Sequence, residues 1–255
     1  MPHLKLTLAY DGTGLVGWQR QASGTSVQGL LEEALAHLEG GPVVVSGAGR
    51  TDAGVHALGQ VASVSLSRPI APLAVLRAVN VRLPPAVRVV DVQEVGPDFH
   101  ARFRSTAKRY RYRIWNGPVV SPFERAYVWH VPWPVLDIEA MRAGAARLVG
   151  THDFAAFQGA GGDVETSVRT LWSSAVEARE LDAGSRLITY EVRGEGFLRH
   201  MVRAIAGTLV EVGRGRRTPG SLDEVLASRQ RGAAGRTAPP GGLFLVAVEY
   251  GAGDL

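Results

Sequence analysis

The apolar residues of this chain change period in the same order twice, and that repetition limits the fold more than any other feature. Leu4-Lys5-Leu6-Thr7-Leu8-Ala9-Tyr10 alternates strictly, as a strand with one buried face does. Val27, Leu30, Leu31, Ala34, Leu35 and Leu38 then recur at helical spacing, opened by Thr25 and Gln28 as a capping box and stopped by Gly40-Gly41. Residues 43–45 and 60–66 read as strands. Pro72 opens a second helix carrying Leu73, Leu76, Val79 and Leu83, Pro84-Pro85 ends it, and 87–95 is a strand. The order is β-α-β-β-α-β.

The remainder repeats it. Residues 108–115 alternate Arg with Tyr and Ile. Asp137 caps a helix with Ile138, Met141, Ala145 and Leu148. Residues 170–178 and 187–192 are strands, and Met201, Ile205, Thr208, Leu209 and Val212 mark a helix. A short helix over 222–228 and a strand over 243–250 complete the chain. Two such runs predict an α+β fold of two ferredoxin-like halves, residues 1–104 and 105–255, each an antiparallel sheet covered by helices on one face. The simplest union of the two is one continuous, mainly antiparallel sheet with a central cleft on its open side.

Composition narrows the chemistry. Without cysteine there is no disulfide, thiolate nucleophile or common zinc site, which fits a cytoplasmic protein. Met1-Pro2-His3-Leu4-Lys5 runs straight into strand-like alternation, so no signal peptide is expected, and no apolar run is long enough for a membrane span. The net charge is +4, and of 28 basic residues only Lys5 and Lys108 are lysine. Arginine matches phosphate and stacks on bases, which favours a nucleic-acid partner; a GC-rich genome produces the same bias.

Four loops interrupt the pattern: 11–24, the turn after 43–45, 96–107 and 116–135. The first contains Gly12, Gly14 and Gly17 as a literal G-x-G-x-x-G. A dinucleotide site needs those glycines to open a helix directly, and here Trp18-Gln19-Arg20-Gln21 and Ser23-Gly24 intervene. In Gly49-Arg50-Thr51-Asp52-Ala53-Gly54-Val55-His56, small residues strip the bulk from around one carboxylate. Asp52 in such a place is either a reagent or a turn former. On the strand 108–115, Tyr110, Tyr112 and Ile114 share one face and Arg109, Arg111 and Arg113 the other. The tyrosines are either core or a platform for a base. Arg193-Gly194-Glu195-Gly196-Phe197 resembles part of an RRM signature but lacks its stacking rings. Arg199 and Arg203 share a helix face. The scattered histidines, His56 among them, have no metal-ligand spacing, so no metal is expected.

Gly49 to His56 is very similar to the signature of the tRNA pseudouridine synthase A family. Tyr10-Asp11-Gly12 with Gly17-Trp18-Gln19-Arg20-Gln21, Asp98 to Phe103, Arg109-Tyr110-Arg111-Tyr112, His200-Met201-Val202-Arg203 and Gly242 to Val248 resemble it in register. The resemblance implies isomerisation of uridine at positions 38, 39 and 40 of the tRNA anticodon stem-loop, with no cofactor, by a homodimer across which the tRNA lies. It implies that Asp52 is the catalytic carboxylate and that Tyr110 stacks on the target uracil. Arg50 would hold or displace the flipped nucleotide, Arg203 would pair with Asp52, and Leu243 and Leu245 would line the pocket. Arg20, Arg102 and Arg199, with Arg214, Arg216 and Arg217, would meet the RNA backbone, making the cleft an RNA-binding one. Two rivals stand beside this reading. A noncatalytic RNA-binding protein leaves the Asp52 loop without a purpose, and a glycosylase needs an activated water, for which the sequence places no second acid or base.

Overall fold

The structure is a computed structural model that describes residues 1–161, 164–181 and 184–251. Among them are ten strands and five α-helices, a mixed α/β architecture whose sheet pairings are mostly antiparallel. The chain divides into two compact units. One comprises Met1–Lys108 with the described residues from Phe244 on, the other Arg109–Leu243.

In the first unit β1 (His3–Tyr10) lies between β3 (His56–Ser65) and β4 (Val87–Val95), antiparallel to both. Leu4, Leu6 and Leu8 are wholly buried, as the alternation requires. β2 (Ser46–Gly47) pairs with the far edge of β3, and β10 (Leu243–Tyr250) joins β3 in parallel at Phe244 and Leu245. Helices α1 (Val27–Glu39) and α2 (Pro72–Arg82) bury Val27, Leu31 and Leu35, and Val75 and Val79.

Two local expectations for this unit need correction. The cap of α1 is Ser26, whose hydroxyl accepts the Gly29 N–H, not Thr25. The Thr25 carbonyl is engaged by Val16 N–H at 3.0 Å, and the Gln28 side chain turns away to accept the Arg20 N–H. Residues 43–45 are not a strand. The Val45 backbone is satisfied instead by side chains of α1, its N–H donating to Glu32 at 3.2 Å and its carbonyl accepting from Gln28 at 3.1 Å. Strand pairing begins one residue later.

The second unit contains β5 (Ser105–Asn116, which starts in the first unit), β8 (Val168–Glu180) and β9 (Arg186–Gly194), with β8 and β9 antiparallel. It also has two short strands that the periodicity did not reveal, β6 (Trp129–Val131) beside β5 and β7 (Gly150–Asp153) beside β8. Asp137 caps α3 (Ile138–Ala146) by accepting from Ala140 N–H at 2.9 Å. The nearly all-buried α4 (Met201–Gly213) and short α5 (Ser221–Ser228) follow. Among the described residues no helix is long and apolar enough to cross a membrane.

Candidate active site

The turn 49–55 between β2 and β3 is held by backbone. It closes on itself through Val55 N–H to the Asp52 carbonyl, 3.1 Å, and the loop 11–24 lies against it. Trp18 N–H donates to the Thr51 carbonyl at 3.1 Å and Gly54 N–H to the Leu15 carbonyl at 3.2 Å. Approach this close needs residues without a side chain. A Cβ on Gly12 would stand 2.1 Å from the Val55 carbonyl oxygen, and one on Gly17, whose φ is 100°, 2.4 Å from that of Thr51. Two glycines of the G-x-G-x-x-G thus serve to bring one loop onto another.

Under the turn sits Tyr10, the last residue of β1. The Tyr10 and Thr51 hydroxyls share a hydrogen bond of 2.8 Å, and the Gln60 amide donates to the Gly49 carbonyl at 2.8 Å. Burial pushes the Tyr10 hydroxyl up to about 12, against the opposing pull of Thr51 and Gln60. His56, 1% exposed, accepts the Gly12 N–H on Nδ1 at 3.0 Å, has the Asp11 carboxylate 3.2 Å from the same nitrogen, and stacks on Phe244 at 4.7 Å. It joins the two loops and the start of β10. Asp52 is half-buried and Arg50 exposed, so the carboxylate stands at the rim of a turn whose backbone has little freedom to shift. Lys108 lies along the same turn, its Nζ 3.9 Å from where a Cβ on Gly49 would be. Leu245 is fully buried, in register with Ala57. The sequence reading gave Tyr10, Gln60 and Lys108 no role of their own in this turn. A polar residue ending an apolar strand and a glutamine opening the next were the available signals for the first two.

In the second unit, Tyr110, Tyr112 and Ile114 point inward from β5. Tyr110 keeps 7% exposure and meets Phe197 edge-on at 5.0 Å, whereas Tyr112 and Ile114 are fully covered. The opposite face is ion-paired. Arg111 donates twice to Glu191, at 3.0 and 2.8 Å, with Arg109 3.6 Å from the same carboxylate, and Arg113 pairs with Glu124 at 2.8 Å. The Tyr112 hydroxyl donates to the Pro239 carbonyl at 2.7 Å, and burial raises its ionisation far above the usual tyrosine range. Arg203, in the first turn of α4, donates from Nε to the Ala238 carbonyl at 2.8 Å, and Leu243 is buried where β10 begins. His200 caps that helix with a left-handed φ of 61°.

The arginines assigned to RNA differ in their freedom. Arg20 is exposed, 3.4 Å from Glu32, and Arg102 is exposed over the Phe103 ring. Arg199 donates to the Ala160 carbonyl at 2.8 Å. Arg216 is exposed. Arg217 is tied to Glu211 at 2.5 Å, and Arg214 has its ionisation lowered by burial first and by Arg216 and Arg236 next.

A family model described as tRNA pseudouridine synthase matches residues 7–104 and 145–251. The chain belongs to the tRNA pseudouridine synthase family. It is 51% identical over 250 residues to tRNA pseudouridine synthase A of Myxococcus xanthus, covering 98% of this chain and 92% of that one. To the protein of that name from Solidesulfovibrio magneticus it is 50% identical, covering 99% and 92%. To that of Syntrophotalea carbinolica it is 47% identical, covering 100% and 98%. The protein is thus an isomerase. The matched stretches of this synthase include Arg20, Arg50, Asp52, Arg102, Arg199, Arg203, Leu243 and Leu245, and Tyr110 falls between them.

Proposed function

We propose that this synthase converts uridine to pseudouridine at positions 38, 39 and 40 of the tRNA anticodon stem-loop, with Asp52 as its catalytic carboxylate and no cofactor. The observation that carries the reading is the Asp52 turn. A carboxylate at the rim of a backbone-clamped loop, in a chain of this family, is suited to meeting a ribose in a fixed orientation. The C1′–N1 bond breaks, the uracil turns, and C1′ bonds to C5; the C5 proton leaves and N1 gains one, so the exchange is redox-neutral. Asp52 serves either by attacking C1′ or by taking the C2′ proton, and both routes need the ionised carboxylate in nearly the same place.

Reaching a stem uridine means unstacking it, at a cost of a few kcal/mol. Tyr110, with its residual exposure and its ring fixed by Phe197, supports the role of a stacking surface for the flipped uracil. Exposed Arg50 suits contact with the displaced nucleotide, and Arg203, Leu243 and Leu245 complete the substrate-binding set. Arg20, Arg102 and Arg199 follow the RNA backbone. The two ferredoxin-like halves belong to the same reading, supported in the first unit by the antiparallel pairing of β1 with both β4 and β3 and of β3 with β2. So do the homodimer, which rests on the family resemblance, and the cytoplasmic setting, which fits a chain without cysteine.

The test is tritium release from a stem-loop RNA carrying [5-3H]uridine. Tritium release with the base still attached to the RNA supports the reading, and free uracil overturns it in favour of a glycosylase. Asp52→Asn is expected to abolish release while retaining RNA binding; surviving turnover removes Asp52 from its assigned role.

A further inference from the structure

The turn 96–104 displays an aromatic ring that the core does not use. Phe103 is 75% exposed. Its ring centroid lies 4.4 Å from that of His100, and the Arg102 guanidinium stands 5.6 Å from its centre. The two sides of this turn have opposite fates. Phe99 and Ala101 are buried in a cluster with Ala48 and Val61, and Phe99 packs on Tyr250 at 5.0 Å. The Tyr250 hydroxyl donates to the Ala101 carbonyl at 2.8 Å, and Ala101 N–H donates to Ser63 at 3.2 Å. His100 fastens the tip, its Nδ1 accepting from Arg102 N–H at 3.1 Å and Phe103 N–H at 3.4 Å.

An exposed phenylalanine costs solubility and adds nothing to this core. Here it is held in one place by a buried anchor and a side-chain cap, so little freedom is lost when something settles on it. Its immediate neighbours in the chain are Arg102 and Arg104, both exposed. A flat ring beside cationic forks is the combination that an unpaired nucleobase and its phosphate require. A purely apolar protein partner would leave the Arg102 charge to be desolvated without compensation.

We propose that Phe103, backed by His100 and flanked by Arg102, is a stacking platform for an unpaired nucleobase of the substrate RNA, separate from the uridine that reacts. This rests on the RNA substrate proposed above, and its test fails separately from that reading.

The experiment measures RNA affinity and steady-state kinetics with the anticodon stem-loop, using wild type, Phe103→Ala, Phe103→Leu and Phe103→Tyr. Stacking on one base predicts an affinity loss of about tenfold or more for Phe103→Ala. The loss is expected in KM rather than kcat. Phe103→Leu shares the loss, and Phe103→Tyr restores binding. Stem-loops with an abasic residue at each loop position in turn locate the contact. At one position the abasic RNA weakens wild type about tenfold but adds little to Phe103→Ala, the signature of a shared interaction. The proposal is overturned if Phe103→Ala binds as wild type does, if Phe103→Leu restores affinity, if no loop position couples, or if Phe103→Ala changes the oligomeric state without RNA. Turnover by wild type together with any of these leaves the proposed activity standing. Loss of all turnover with the platform coupling intact points the other way.

Discussion

Replacing Gly17 with alanine should damage the enzyme through a carbonyl and not through any reacting group. The added Cβ would lie 2.4 Å from the Thr51 carbonyl oxygen and 3.0 Å from the Asp52 carbonyl carbon. Relieving this to ordinary contact requires the turn to retreat by about 1 Å. Holding alanine at a φ of 100° adds a penalty on the order of 1–2 kcal/mol, and overpacking adds about 1–3 kcal/mol. The expected loss is therefore about 2–5 kcal/mol out of a total stability of roughly 5–15 kcal/mol. If Asp52 is the catalytic carboxylate, a displacement of that size costs about 100-fold in turnover as well. Gly14→Ala is the internal control. Gly14 has a φ of 77° but nothing within 4 Å of its Cβ position, so only the backbone penalty remains. Urea denaturation and single-turnover tritium release on both variants separate the terms. Should Gly17→Ala prove as stable and as active as Gly14→Ala, the loop-on-loop account of the Asp52 turn is wrong.

The Tyr10 hydroxyl is held at about 12 by burial, against about 10 in an unfolded chain. Its contribution is whole below pH 10 and is lost as the pH climbs past about 12, a fall of order 3 kcal/mol. Tyr10→Phe should flatten that part of the alkaline unfolding curve while costing about 1–3 kcal/mol at neutral pH, because Thr51 loses a buried partner; an unchanged alkaline limb counts against it. Tyr110→Phe keeps the ring against Phe197 and removes only the hydroxyl, so turnover that stays at the wild-type level excludes a required proton transfer by that oxygen. Glu191→Gln weakens the pairing with Arg111 and Arg109. Those groups are partly exposed, so a loss on the order of 1 kcal/mol in urea is expected, and a much larger one contradicts the screening argument.

Much of this protein is legible in its sequence because burial imposes a period on neighbouring residues. The leucines of β1 and α1, the Asp137 cap and the proline limits of α2 are local signals, and the structure places elements on them. The Asp52 motif was also visible, as eight consecutive residues. Elsewhere the deciding partners lay far along the chain. The 43–45 run has the composition of a strand, yet the carbonyl of its last residue accepts from Gln28 and its N–H donates to Glu32. β7 is polar and short, and exists through its pairing with β8. Periodicity put Tyr110 and Tyr112 on one face, but only Phe197 and Pro239 determined how each is covered. The same holds for the glycines of the first loop. Their spacing matches a phosphate fingerprint that the following residues already ruled out, and only the tertiary structure gave Gly12 and Gly17 a task, because the Val55 and Thr51 carbonyls occupy the space a side chain would need. Side-chain period is a property of adjacent residues, whereas a hydrogen-bond partner or an excluded volume is decided only when distant segments arrive together.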